Sequence, residues 1–260
     1  MIRYKTDAEI EVMKKSCRLA AAVLVYIEPF VKVGASCLEL NDLCHKFIVD
    51  RGAIPSPLNY KGFPKSICTS VNDVVCHGIP NETRLREGDI INLDITTLLD
   101  SYHGDTSRTF LVGKCARAAR DLVKTTEEAL WLGIKAVRPG GFTGDIGAVI
   151  QKFIESRGYS VVREYCGHGI GKVFHEDPHV PHFGVAGEGA AIKPGMVFTI
   201  EPMVNLGKQE VELLEDTWTV VTKDSKLSAQ FEHTIAVYKD RVEVLTVPPD
   251  ANFDPVVWRA

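Results

Sequence analysis

One stretch of this chain occurs twice. Lys46-Phe47-Ile48-x-x-Arg51-Gly52 returns 106 positions later as Lys152-Phe153-Ile154-x-x-Arg157-Gly158, and the same offset carries Gly34 to Gly140. Each copy closes an amphipathic pattern that follows a longer helical one. Six identities in register, with paired helices in the same order, favour duplication over a chance likeness of two amphipathic helices. The period is far too long for a solenoid. Duplication constrains the fold strongly, because each half must supply the same elements, and a site is then expected at the seam between them.

The helical patterns are well punctuated. Thr6 and Glu9 have capping-box spacing, and Ile10, Met13, Cys17, Ala20, Leu24 and Ile27 follow at intervals of three and four, up to Pro29. Ser36 and Glu39 repeat the box ahead of a second helix through Leu40, Leu43 and Phe47, stopped by Gly52. A third helix is expected over 116–136, ended by Pro139-Gly140-Gly141, and a fourth over 144–157, ended by Gly158. Between and after them, 90–99 and 106–112 read as strands joined by a turn holding Asp100, Ser101 and Gly104. Further strands are expected over 197–203, 217–222, 231–238 and 242–247. Short connections favour antiparallel pairing, and helix pairs on such a sheet make the fold α+β. No linker interrupts the chain. The expectation is one domain over 1–260, with related halves of about 1–115 and 116–247 and a surface extension over 248–260.

Composition excludes several functions. A 45% apolar and 25% charged chain of 260 residues can bury a core, so it is not disordered. A net charge of −4 and no dense Lys/Arg cluster argue against nucleic-acid binding. The apolar run 19–31 is too short to span a membrane and contains Glu28. Seven cysteines, an odd number with no C-x-x-C, read as reduced thiols in a cytoplasmic protein.

Several polar residues sit where burial makes them costly. In 91–96 apolar Ile91, Leu93 and Ile95 alternate with Asn92, Asp94 and Thr96. Asp105 lies across the expected turn, and a symmetric hairpin would set it directly opposite Asp94. Opposed like charges destabilise a sheet. Either a cation sits between them or one is a turn residue and the two diverge. Glu201 ends the apolar run 197–200, Glu232 lies inside 231–235, and His168 lies in a glycine-rich stretch, 166–171. Taken singly, each is better explained as an ordinary satisfied polar group or an edge-strand charge. Together, four carboxylates and an imidazole suit two divalent ions, Co, Mn, Fe or Zn, and neither copper nor a thiolate zinc site. A pair of such ions joined by bridging carboxylates is a hydrolase arrangement. His175-Glu176-Asp177-Pro178-His179 fits the zinc-protease pattern H-E-x-x-H, but Pro178 breaks the helix that pattern needs. The glycines around His168 lack the G-x-G-x-x-G spacing of a dinucleotide site.

Along nearly its whole length the chain resembles the type I methionine aminopeptidases, of the pita-bread fold. The likeness rests on stretches 59–66, 72–80, 88–94, 104–106, 167–171, 198–202 and 230–234, taken in order. It implies a pseudo-twofold fold with a curved, mostly antiparallel sheet covered by two helix pairs. Asp94 would chelate one metal, His168 and Glu201 the other, with Asp105 and Glu232 bridging. Glu201 would also be the acid/base. His77 would touch the substrate backbone near the scissile amide, and His175 would donate to the carbonyl oxygen. Tyr60, Phe63, Cys68, His77, Phe174 and Trp218 would line the methionine pocket. Phe63 stands where the family commonly has Tyr, and Pro57 where some bacterial members have Cys; both keep the pocket apolar. With helix one starting at Thr6, the zinc-binding N-terminal extension of eukaryotic members is expected to be absent. With 30 residues between Glu201 and Glu232, so is the type II insertion. The implied substrates are N-termini of nascent polypeptides, with the ribosome as a candidate partner, a monomer as the implied state, and neither membrane nor nucleic acid involved. Two rivals share the scaffold: a proline-type aminopeptidase or prolidase, and a non-catalytic peptide-binding relative. A third is a structural α+β domain with no site.

Overall fold

The computed structural model describes residues 1–248 and 251–260. Helix α1 spans Asp7–Ile27 and buries all six residues of its apolar stripe. Its capping box is formed: Glu9 donates its N–H to the Thr6 hydroxyl at 3.3 Å, and the Glu9 carboxylate accepts the Thr6 N–H at 2.9 Å. Helices α2, Cys37–Val49, and α4, Thr143–Glu155, have 13 residues each and keep the 106 offset at both ends. Helix α3 spans Arg117–Ala136. Gly52 and Gly158 stop α2 and α4 with φ of +73° and +79°, the left-handed value a glycine adopts without a Cβ penalty. Even the surface contacts repeat. Arg51 stacks 3.3 Å over the Phe47 ring, and Arg157 3.6 Å over Phe153. The buried face of α2 is centred on Leu40, Cys44 and Ile48, with Leu43 and Phe47 only half-buried.

Every strand pairing among the described residues is antiparallel. Helices α1 and α2 cover a four-stranded sheet built on the hairpin Ile90–Leu99/Tyr102–Leu111. Helices α3 and α4 pack against a six-stranded sheet that includes Gly167–Gly169, Glu176–Val180, Val197–Ile200 and His233–Val237. Two three-stranded sheets complete the structure, one holding Met203–Asn205 and Ser228–Gln230, the other Val74–Cys76 and Val220–Thr222.

The hairpin register differs from the expected one. The turn has only two central residues, Asp100 and Ser101, both at positive φ. Asp94 therefore faces Ser107, and Asp105 faces Thr96. The two carboxylates lie on one face as diagonal neighbours, not directly opposite, which leaves room for a cation between them. Gly104 belongs to the strand and not to the turn. It is glycine because α1 crosses directly over it: a Cβ there would lie 2.3 Å from the Cys17 nitrogen. The expected strand over 197–203 is interrupted at Glu201-Pro202. In the stretch expected as a surface extension, 249–250 lie outside the described residues, and Val256–Arg259 forms an edge strand on Arg241–Val244, with Trp258 against the core.

The halves are sewn together by side chains. Asn92 and Thr109 donate to the Gln230 carbonyl at 2.8 and 2.7 Å, Thr106 to the Glu232 carbonyl at 2.7 Å, and Thr234 to the Asp105 carbonyl at 2.7 Å.

Candidate metal centre and pocket

This seam opens into a cavity of about 680 Å³, and every candidate residue lines it: Asp94, Asp105, His168, Glu201, Glu232, His77, His175, Tyr60, Phe63, Cys68, Phe174 and Trp218. Asp94 and Asp105 come from the hairpin, His168 from its short strand, Glu201 from the strand break, and Glu232 from the residue before His233–Val237. One donor atom each of Asp105, His168 and Glu232 lies within 4.8 Å of the others. His168 Nε2 stands 3.7 Å from both Asp105 Oδ2 and Glu201 Oε1. The His168 Nδ1 faces the Gly169 carbonyl at 3.0 Å, which leaves Nε2 free to act as a donor atom.

The donor set fits divalent cations. Burial raises the Asp94 carboxyl to about 7 and Glu201 to about 8, with Asp94 adding to the rise at Glu201. Burial, then repulsion from neighbouring carboxylates, pushes Asp105 and Glu232 well above the usual range. Burial holds His168 down to about 4, so its imidazole is neutral at pH 7. Asp94 Oδ1 is buried with no hydrogen-bond partner. A ring of buried carboxyls that resist ionisation, with the Asp94 Oδ1 lacking a hydrogen-bond partner, around a neutral imidazole is a donor set that a divalent cation fits.

Other side chains aim the donors. Thr96 donates to Asp105 Oδ1 at 2.7 Å, and Thr199 to Glu201 Oε1 at 2.7 Å. Gln230 Nε2 donates to Glu201 Oε2 at 3.3 Å. The buried His182 accepts the Glu201 backbone N–H at Nε2, 3.0 Å away. Sequence reasoning missed all four. Thr96 and Thr199 each lie two positions from a carboxylate on a strand, so same-face periodicity could have found them. No pattern marks His182, which lies in an irregular loop.

Beside the acidic cluster the pocket is aromatic. Tyr60 packs 4.9 Å from Phe174 and stacks 5.2 Å from His175, and Phe63 meets Trp218 edge-on at 5.2 Å. His77, at φ +55°, stands edge-on to Tyr165 at 5.5 Å. Tyr165, another residue the sequence reading missed, also lines the cavity. Burial lowers His77 to about 4, and burial with neighbouring His168 and His77 lowers His175 to about 2, so both rings are neutral N–H donors at pH 7. The 175–179 stretch is no zincin helix. Glu176–Val180 is a strand, with His175 on the cavity and His179 beside Cys166.

The model of metallopeptidase family M24 matches residues 11–239. Over 240 residues, 92% of this chain and 95% of the relative, the sequence is 59% identical to methionine aminopeptidase A of Synechocystis. The chain belongs to the methionine aminopeptidases. The crystal structure of the Rickettsia prowazekii methionine aminopeptidase superposes with a TM-score of 0.94 at 51% identity, covering 95% of this chain and all of that one. The pita-bread architecture, with its mostly antiparallel sheets, is therefore that of the family, and the enzyme is a metalloaminopeptidase. The prolidase of Pyrococcus furiosus matches at 21% identity and a TM-score of 0.72, covering 94% of this chain and 65% of that one, a likeness of fold alone.

Proposed function

We propose that this enzyme removes the initiator methionine from nascent proteins whose second residue is small, using two divalent ions, Co, Mn, Fe or Zn. The observation that carries the reading is one cavity in which five carboxylate and imidazole donors adjoin an aromatic, sulfur-bearing pocket. Asp94 would hold one ion, His168 and Glu201 the other, and Asp105 and Glu232 both. When bound, the ions would acidify water and draw electron density from the scissile carbonyl. The protein's own groups do the rest. Tyr60, Phe63, Cys68, Phe174 and Trp218 surround the thioether, which favours aromatic and sulfur neighbours. His77 orients the substrate backbone. His175 N–H donates to the carbonyl oxygen as charge gathers there. The Glu201 carboxylate takes a proton from the attacking water and passes it to the leaving amine. The free α-amine of the substrate rests near the acidic cluster, which restricts cleavage to chain ends.

On this reading the whole of 1–260 is one catalytic unit, a cytoplasmic monomer acting at or near the ribosome. No described helix is long and apolar enough to cross a membrane. A non-catalytic relative would have no use for five intact donors. The test offers Met-Ala-Ser beside a Pro-containing dipeptide, with Mn or Co added. Metal-dependent release of Met from the tripeptide is expected, and release from neither, or from the Pro peptide alone, overturns the reading.

A further inference from the structure

Phe174 and His175 ride on a loop, 171–175, that has no regular secondary structure. Few backbone ties hold it. The Gly171 N–H reaches the Val173 carbonyl at 3.2 Å, and the Gly171 carbonyl accepts the His103 N–H at 2.9 Å. The Phe174 and His175 rings pack on Tyr60, and Phe174 stacks on His103 at 5.3 Å. Among the described residues the loop backbone gains one side-chain tie, in which Glu176 Oε1 accepts the Val173 N–H at 3.3 Å. The other Glu176 oxygen accepts from Lys5 Nζ at 2.8 Å. Only 6% of the Lys5 side chain and 4% of the Glu176 side chain are exposed, whereas the Arg3 guanidinium, 3.8 Å from Glu176, is 62% exposed.

Lys5 is itself well anchored. Its N–H donates to the Gly195 carbonyl at 2.7 Å, and its ammonium also donates to the Arg3 carbonyl at 3.1 Å. Its stem lies against the loop so closely that a Cβ on Gly171 would come within 2.6 Å of Lys5 Cε. Lys5 does not line the catalytic cavity, but Glu176 does.

We propose that Lys5 and Glu176 are a positioning pair: the N-terminal segment reaches over to a buried carboxylate that ties down the loop and so aims His175 and Phe174 at the substrate. A buried ion pair adds little net stability over an apolar pair, so stability alone is a weak reason for one here. Its geometric effect is specific, because one Glu176 oxygen holds the loop backbone while the other is fixed from outside. The inference rests on the proposed function, since it gives His175 the work of polarising the carbonyl.

The test compares Lys5→Met with the wild type on Met-Ala-Ser, at saturating Mn and below both melting temperatures. A loosened His175 acts on charge that develops during reaction. The expected result is therefore a fall in kcat of about 10- to 100-fold, with a smaller change in KM and unchanged bound metal. Adding Glu176→Gln to Lys5→Met removes the stranded charge and keeps an acceptor for Val173, and should recover part of the lost kcat. If Lys5→Met does not fold, Glu176→Ala is read instead, and the same fall in kcat is expected. A folded Lys5→Met or Glu176→Ala variant with kcat within about twofold of the wild type and lowered only in melting temperature overturns the pair. Failure of the wild type itself to release Met would instead overturn the proposed function.

Discussion

The two halves share a frame but mount their acidic residues differently. In the first, Gly88 at φ +93° opens a strand that runs unbroken over Ile90–Leu99 and carries Asp94 in its middle. In the second, Gly195 at φ +88° opens the matching strand, 107 positions on, but it stops at Ile200. Pro202 has no N–H to continue a ladder. Glu201 sits at the break, and its own N–H goes to His182 rather than to a strand. The paired helices, their glycine stops and their surface stacking repeat between the copies. The side-chain caps Thr6 and Ser36 of the first half give way to Ala116 and Phe142 in the second. The site changed more. A carboxylate inside a ladder is held rigidly by its neighbours. One at a break is positioned by individual side chains, here His182, Thr199 and Gln230. This suits the residue proposed to move a proton, and its partner Asp94, proposed only to hold a metal, keeps the rigid mount.

The sharpest way to break this contrast is to remove the carboxylate at the break. Glu201→Ala should lower kcat by about 10²- to 10⁴-fold while the circular dichroism spectrum stays that of the wild type. Near-normal turnover would refute its assigned role. Taking one donor from each half, Asp94→Ala with His168→Ala, should lower the divalent metal retained after gel filtration, measured by elemental analysis. Unchanged stoichiometry would mean that the donors are elsewhere.

His182 tests the mount itself. His182→Ala leaves the Glu201 N–H buried without its acceptor, a cost of about 1–3 kcal/mol in a urea melt, and should lower kcat. His182→Gln can offer an oxygen in place of Nε2 and should recover part of both. Equal losses in the two variants would show that Glu201 does not depend on this hydrogen bond.

Much of this arrangement was legible from the sequence, for identifiable reasons. Helix α1 followed from Thr6, Glu9 and six apolar residues, because capping and periodicity are local. Among the five proposed donors, Asp94, Glu201 and Glu232 drew notice because burying a carboxylate in an apolar strand is costly wherever the strand lies. Asp105 and His168 gained weight only in combination with them and from the family resemblance. The hairpin register was not legible. Gly104 resembled a turn residue, and only the crossing of α1 explains it. His182 was invisible because its role depends on the Glu201 N–H, which lies just past the end of the strand ladder. The short strands Cys68–Val71, Gly167–Gly169 and Ser228–Gln230 were missed because they carry polar residues and glycine on buried faces, without an alternating pattern.

Chelation should expose the acidic cluster as a pH effect on stability. In the native chain Asp94 titrates near 7 and Glu201 near 8, with Asp105 and Glu232 raised further. Unfolded carboxyls titrate near 4. Between these values the native state holds more protons, so stability falls as pH rises. The buried histidines act oppositely: in the unfolded chain they are half protonated at about 6.5, and their contribution fades over roughly the next pH unit. Burial lowers His77, His103, His168 and His233 to about 4, His182 to about 3 and His175 to about 2. The window from about 7.5 to 8.5 therefore belongs to the carboxyls. There the chelated protein should lose up to about 1.4 kcal/mol per pH unit for each carboxyl that titrates. Saturating Mn should flatten or reverse that slope, because it binds the ionised form. A chelated protein whose melting temperature is level across this window would show that the cluster ionises freely without metal.

The smallest effect asks whether the halves are equivalent away from the site. Arg51 and Arg157 make the same stacking contact on Phe47 and Phe153, each on a helix stopped by glycine. Neither touches the cavity. Arg51→Met and Arg157→Met should each cost about 0.5–1 kcal/mol in a urea melt, with kcat unchanged. Near-equal costs would mean that the two copies still do the same structural work, so that their divergence is confined to the seam. A cost at one position and none at the other would mean that the halves have also diverged in how they hold their helices. The asymmetry at Glu201 would then be one part of a wider drift between the copies rather than a feature of the catalytic seam.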